Sequence, residues 1–77
     1  MYLILKNIYN RACAGIEFEN CSFEFPTNLK VRSTVEFKHK KDNQIFAISN
    51  VLNYQFINNS LCIYTRNSTY TFEIVCD

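Results

Sequence analysis

The sequence predicts a mainly β protein, an antiparallel meander of six to seven short strands curled into a roll or small barrel, with one short helix near residues 8–14. Three observations carry that expectation. From Leu52 to Val75 the chain reads LNYQFINNSLCIYTRNSTYTFEIV, runs of Ile, Tyr, Phe and Thr cut by Asn and Ser. That is the signature of strands and tight turns. From Leu29 to Phe37 apolar and polar residues alternate, the period of a half-buried strand. The chain is 48% hydrophobic and 16% aromatic, enough for a core and too much for disorder.

In order along the chain, Tyr2–Lys6 is a short apolar strand. Asn7–Gly15 has two readings. Leu5, Ile8 and Ala12 recur at helical spacing, and Asn7 and Gly15 suit the caps of a two-turn helix over Ile8–Ala14. The rival is a longer first strand followed by a loop. Between Phe18 and Cys21 the apolar parity switches. A turn at Glu19–Asn20, placing Phe18 opposite Cys21 and Ile16 opposite Phe23, repairs it; so does a β-bulge. Pro26–Asn28 is a turn. In the strand Leu29–Phe37, Leu29, Val31, Val35 and Phe37 face inward, while Lys30, Arg32, Thr34, Glu36 and Lys38 face outward. A polar loop ends at Asp42–Asn43. Ile45–Ile48 is the next strand, either separate or running through a kink at Ser49–Asn50 into Leu52–Ile57.

The last third yields to parity, because side chains alternate faces with period two. Two-residue turns at Asn58–Asn59 and Asn67–Ser68 set Phe56 opposite Leu61 and Tyr54 opposite Ile63. They also set Ile63 opposite Phe72, Tyr70 opposite Thr65 and Ile74 opposite Leu61. Leu52, Tyr54, Phe56, Leu61, Ile63, Tyr70, Phe72 and Ile74 then share the core face.

At 77 residues the chain is a single domain, 1–77. A chain this short buries about 60–65% of its unfolded surface, and size scaling gives roughly 4–11 kcal/mol of stability. The net charge of +1 exerts no global pull on nucleic acid or membrane. MYLILKNIYN lacks the basic start and the apolar length of a signal peptide, and no stretch reaches membrane-spanning length. A cytoplasmic location is expected, with the cysteines reduced.

Chemistry is sparse. Cys13, Cys21, Cys62 and Cys76 form no Cys-x-x-Cys pair, so neither a metal nor a cofactor is expected. Parity turns Cys62 outward and Cys76 inward. His39 is the only histidine, with Asp42 alone nearby. One glycine excludes a glycine-rich phosphate loop. An enzyme is therefore not expected. The best functional feature is the basic stripe Lys30, Arg32, Lys38, Lys40 and Lys41, with Tyr64 as the outward aromatic. Such a stripe meets phosphates or an acidic protein surface, although lysines also block edge pairing. The expected function is a non-enzymatic binding protein that inhibits or modulates a larger protein or ribonucleoprotein by covering its surface. The alternative is a nucleic-acid-binding β-barrel using the basic strand 30–41. A third option is a homo-oligomer built through Ile57, Tyr64 and Val75.

Tyr64-Thr65-Arg66-Asn67-Ser68-Thr69-Tyr70, followed by Phe72, resembles the terminal hairpin of small orphan β-proteins carried by phages and mobile elements. The likeness covers the last hairpins and is structural. It implies a class of role, stoichiometric inhibition of host enzymes in the manner of anti-CRISPR and other anti-defence proteins. Many such inhibitors are acidic mimics of DNA; a chain of charge +1 departs from that pattern.

Overall fold

With one glycine in the chain, asparagine takes the turn positions. The computed structural model describes residues 1–10 and 16–77. Among these, the left-handed residues are Asn20, Arg32, Asn43, Asn50 and Asn58, with φ of 54–68°. Asparagine visits this region at little cost; arginine does not. Each of the five ends a connection or makes a turn. The elements they separate are β1 (Tyr2–Asn10), a 3₁₀ turn at Ile16–Phe18, β2 (Ser22–Glu24), β3 (Val35–Lys38), β4 (Ile45–Ile48), β5 (Asn53–Ile57), β6 (Ser60–Tyr64) and β7 (Ser68–Val75).

All pairing is antiparallel. Five strands form one sheet in the order β2-β1-β7-β6-β5, and β3 pairs with β4 in a second. A bridge between Phe23 and His39 links the two. The spatial order is thus β4-β3-β2-β1-β7-β6-β5, in which sequence neighbours lie side by side except at one place. That place is the break between β4 and β5, so the curled meander does not close into a barrel. The ladder between β1 and β7 brings the chain ends together. There the terminal ammonium of Met1 contacts the Asp77 carboxylate and holds its carboxyl below the ordinary value.

Several expectations change in the structure. Ile8–Asn10 belongs to β1, so no helix starts at Ile8; residues 11–14 of that expected helix, and its expected cap at 15, lie outside the described residues. The cause is a register shift between Leu5 and Asn7. Leu3, Leu5 and Ile8 oppose Ile74, Phe72 and Tyr70, so one inserted residue turns a spacing of two into three. A bulged strand therefore imitates helical spacing. Ile16–Phe18 is a 3₁₀ turn and not a strand, although the turn at Glu19–Asn20 forms as expected.

The expected strand Leu29–Phe37 shrinks to Val35–Lys38. Val31 and Arg32 form a turn, and Val31 is 40% exposed. The Ser33 hydroxyl donates to the Lys30 carbonyl at 2.7 Å, a local bond that competes with a strand ladder. The Asn58–Asn59 turn and the β5–β6 register are as expected. The β6–β7 register differs by two residues: Leu61 opposes Phe72 and Ile63 opposes Tyr70. The two-residue turn moves one residue earlier, to Arg66–Asn67, with the Thr65 N–H donating to the Ser68 carbonyl at 2.9 Å across it. A slip of two keeps every side chain on its face, so the core assignment survives.

The core gathers Leu3, Leu5, Phe23, Val35, Phe37, Phe46, Ile48, Val51, Leu61, Ile63, Tyr70 and Phe72. Tyr54 and Ile74 pack at its margin. Leu52 and Phe56, expected inside, are 58% and 51% exposed because β5 is an edge strand with no neighbour on its far side. Cys76 is exposed, not inward, because it follows the last residue of β7.

Ile63→Asp places an unpaired charge at a fully buried position and is expected to unfold the protein. Phe72→Ala is expected to cost about 3–5 kcal/mol. Thr71→Asp, on the opposite face, is expected to change stability by less than about 1 kcal/mol. Urea titrations of the three variants check the face assignment; a tolerated Ile63→Asp with a ruinous Thr71→Asp would reverse it.

Candidate functional site

The five basic residues expected to form one stripe fall into three settings. Lys30 and Arg32 precede β3, Lys38 ends it, and Lys40 and Lys41 lie in the turn beyond. Because the strand starts only at Val35, alternation never places them on one face. Lys38 shares a cleft of about 300 Å³ with Glu24 and Glu36, so acids offset its charge.

Lys40 and Lys41 line a cleft of about 620 Å³ with Tyr2, Asn20, Cys21, Ser22 and His39. The strand β2 builds its floor, since the Lys40 N–H donates to the Ser22 carbonyl at 2.9 Å. The Lys40 ammonium stands 4.3 Å from the centre of the Tyr2 ring, a cation–π contact. That contact occupies the aromatic face a nucleobase would stack on. His39 Nδ1 and Asp42 Oδ1 are 2.7 Å apart, and the same carboxylate oxygen accepts from the Gln44 N–H at 3.0 Å. The His39 bond first, and the Gln44 bond second, hold the Asp42 carboxyl below its ordinary value. Asp42 thus ties the turn closed and orients the imidazole. His39 serves that turn and packs 5.5 Å from Phe23.

A third cleft, of about 360 Å³, is lined by Arg32, Asn50, Leu52 and Arg66. Backbone bonds build it. The Arg32 N–H donates to the Val51 carbonyl at 2.7 Å, and the Val51 N–H donates to the Ser33 carbonyl at 3.1 Å. Val51 is fully buried and so anchors the Arg32 turn to the core. On the other side the Leu52 N–H donates to the Tyr64 carbonyl at 2.8 Å, which brings the connection holding Arg66 beside Leu52. Among the described residues neither arginine has a carboxylate at ion-pair distance. Two guanidiniums without acids, beside an exposed leucine, suit an incoming carboxylate or phosphate held at two points.

Tyr64, expected as the outward aromatic, is half-buried, and its hydroxyl donates to Gln55 Oε1 at 3.3 Å. Burial, then the neighbouring Cys62 thiol, pushes its phenol above the ordinary value. The thiols of Cys21, Cys62 and Cys76 are free; Cys13 lies outside the described residues. Arg66, Asn50 and Leu52 were not expected as site residues. Arg66 was within reach of the hairpin register, which pairs Asn53 with Tyr64 at the same end. The partner position, Arg32, depends on its bond to Val51, and no local pattern announces that bond.

Fold and clefts together define a small open β-sheet protein with an arginine-lined cleft. No protein-family model, curated protein or solved structure matches the chain. None of the helices described is long and apolar enough to cross a membrane, and among the described residues no group of three His, Cys, Asp or Glu is placed to hold a metal ion.

The Asp42 bond has a pH signature. A carboxyl with a lowered folded-state pKa stabilises the turn above its ordinary value, and that contribution disappears as pH falls through the lowered one. The carboxyl carbon of Asp42, followed by NMR, is expected to titrate below 3.8. In His39→Ala the midpoint should move up toward 3.8; an unmoved midpoint would remove His39 as the cause.

Proposed function

We propose that this protein is a non-enzymatic binding module that docks on an acidic surface of a larger protein or ribonucleoprotein and modulates it by occlusion. One observation carries the reading: Arg32 and Arg66 line one cleft without a described acidic partner, and Arg32 stands there in a left-handed backbone. Asparagine fills the other four such positions, and would relieve the strain here. Strain kept at an exposed turn is strain kept for the side chain. The likeness of Tyr64–Tyr70 and Phe72 to terminal hairpins of phage and mobile-element proteins supports a stoichiometric, anti-defence role. In cytoplasm the free thiols stay reduced, in keeping with that role.

The nucleic-acid reading rests on Lys40, Lys41 and His39 at the other end of the molecule. It is the weaker one, because Lys40 already covers Tyr2 and the lysines are not continuous with the arginines.

Arg32→Gly separates binding from folding. Glycine relieves the left-handed strain, so stability is expected to hold or rise by up to about 1 kcal/mol. Partner binding is expected to fall; a thermal melt and a pull-down read the two effects. The wider test is capture from lysate of the source cell with the wild type and with Arg32→Glu/Arg66→Glu. The expected partner survives nuclease, weakens as salt rises and is lost with the double variant. Retention of the partner by that variant would remove the arginine cleft from the interface, and capture abolished by nuclease would favour the lysine end.

A further inference from the structure

Among the described residues β5 has no hydrogen-bonded neighbour on its far side, and β4 has one only on the side of β3, whose own other side is bridged to Phe23 just past its end, at His39. In β5 the free side can be assigned from the hairpin. The Ile74 N–H donates to the Asn59 carbonyl at 2.7 Å, and Ser60 opposes Glu73. Ser60 is therefore at a non-hydrogen-bonded position toward β7, and its own N–H and C=O face β5. Since Ser60 opposes Ile57, the backbone groups of Ile57, Gln55 and Asn53 point at β6. Those of Tyr54 and Phe56 point outward, and no described backbone group pairs with them.

Natural sheets blunt such an edge with lysine, proline or a covering loop. This edge has none of these charges: from Asn43 to Thr65 no residue is charged. Its two ends differ. At its start lie Leu52 and the Arg32–Arg66 cleft. At its end the ring of Phe56, half exposed, stacks on Phe25 with centroids 6.4 Å apart. The free edge of β4 is shorter, and its Ile45 borders the cleft that holds Glu24 and Glu36, which would repel an acidic segment.

We propose that the partner supplies an extended acidic segment that adds to β5 as an antiparallel strand, with a carboxylate seated between Arg32 and Arg66. This rests on the acidic-partner reading above and gives it a geometry. Main-chain bonds to Tyr54 and Phe56 supply adhesion, and the arginines set register and direction. In an antiparallel addition the residue opposite Leu52 follows the one opposite Phe56 by about four positions. The fitting pattern is apolar-x-apolar-x-acidic. A second copy of this chain fits less well. Antiparallel self-pairing would set each arginine cleft against Ile57–Asn59 of the other copy, where there is no carboxylate.

The test uses the whole chain and a capped peptide, Thr-Val-Thr-Ile-Ser-Asp-Asp. Two control peptides replace both Asp with Asn or methylate every backbone nitrogen. The Asp peptide is expected to slow amide exchange of Tyr54 and Phe56 roughly tenfold or more at saturation. Both controls, and the folded Arg32→Glu/Arg66→Glu variant, are expected to bind at least about tenfold more weakly. No binding of the Asp peptide overturns the proposal. Arginine-dependent binding that tolerates N-methylation and leaves those two amides unprotected overturns strand addition while sparing the acidic-partner reading. Binding indifferent to the arginine variant and to Asp→Asn overturns both. Protection that appears without peptide, with a doubled native mass, assigns the edge to a second copy and overturns the proposal.

Discussion

The structure depends on the packing of Phe72. It lies in the middle of β7, opposite Leu5 on one side and Leu61 on the other. Its ring stacks on Phe37 at 4.7 Å and meets Phe23 edge-on at 6.2 Å. Those two rings come from β3 and β2, so Phe72 joins the five-stranded sheet to the β3–β4 hairpin. Among the described residues, backbone bonding between the sheets is limited to the region around Phe23 and His39. Side-chain packing must therefore hold the two layers in place. Phe46 and Phe18 extend the cluster, stacked at 4.8 Å. In a chain that buries only about 60–65% of its surface, a contiguous aromatic centre replaces the larger core of a longer domain.

The face of each strand was legible in the sequence, whereas register and extent were less so. Parity alone identifies Leu61, Ile63, Tyr70 and Phe72 as buried, because period two survives any even slip. The turn falls at Arg66–Asn67, one residue earlier than Asn67–Ser68, so the pairing moved from Ile63–Phe72 to Ile63–Tyr70 without turning any residue over. An odd insertion does more damage. The bulge in β1 spaces Leu5 and Ile8 like a helix, and a periodic reading cannot distinguish the two without the pairing of Ile8 with Tyr70. Leu29–Phe37 failed for another reason. Its alternation is good, but the bond from Ser33 to Lys30 and the anchor from Arg32 to Val51 bend the chain before Val35. Val51 is distant in sequence, and tertiary context overrode a local pattern.

The same distinction explains the basic residues. Their presence was plain and their grouping was not. A stripe needs a continuous strand, and the Arg32 turn ends that continuity. What replaces it is a cleft assembled from the turn before β3, the link between β4 and β5, and the connection after β6. Three segments remote in sequence each give one or two side chains to it. The His39–Asp42 contact is the opposite case. Its two residues are three apart, both are in the sequence reading, and geometry assigns them to closing a turn.

The departures from ordinary β-protein rules are concentrated at the β4–β5 break. A left-handed arginine stands where this chain elsewhere uses asparagine. Two arginines line one cleft without a described acid. An open edge lacks charge and exposes Leu52 and Phe56. At the far edge of the larger sheet the contrast is clear: β2 is short and bridged by His39, and the Lys40 amide satisfies the Ser22 carbonyl. Chance departures would be scattered over the molecule. Sequences keep local violations where function requires them and compensate elsewhere. Here the fully buried Val51 holds the strained turn, and the β5–β6 hairpin carries the bare edge from within the sheet. The break that stops the sheet from closing thus brings together an open strand edge, arginines without a described acid and exposed apolar surface.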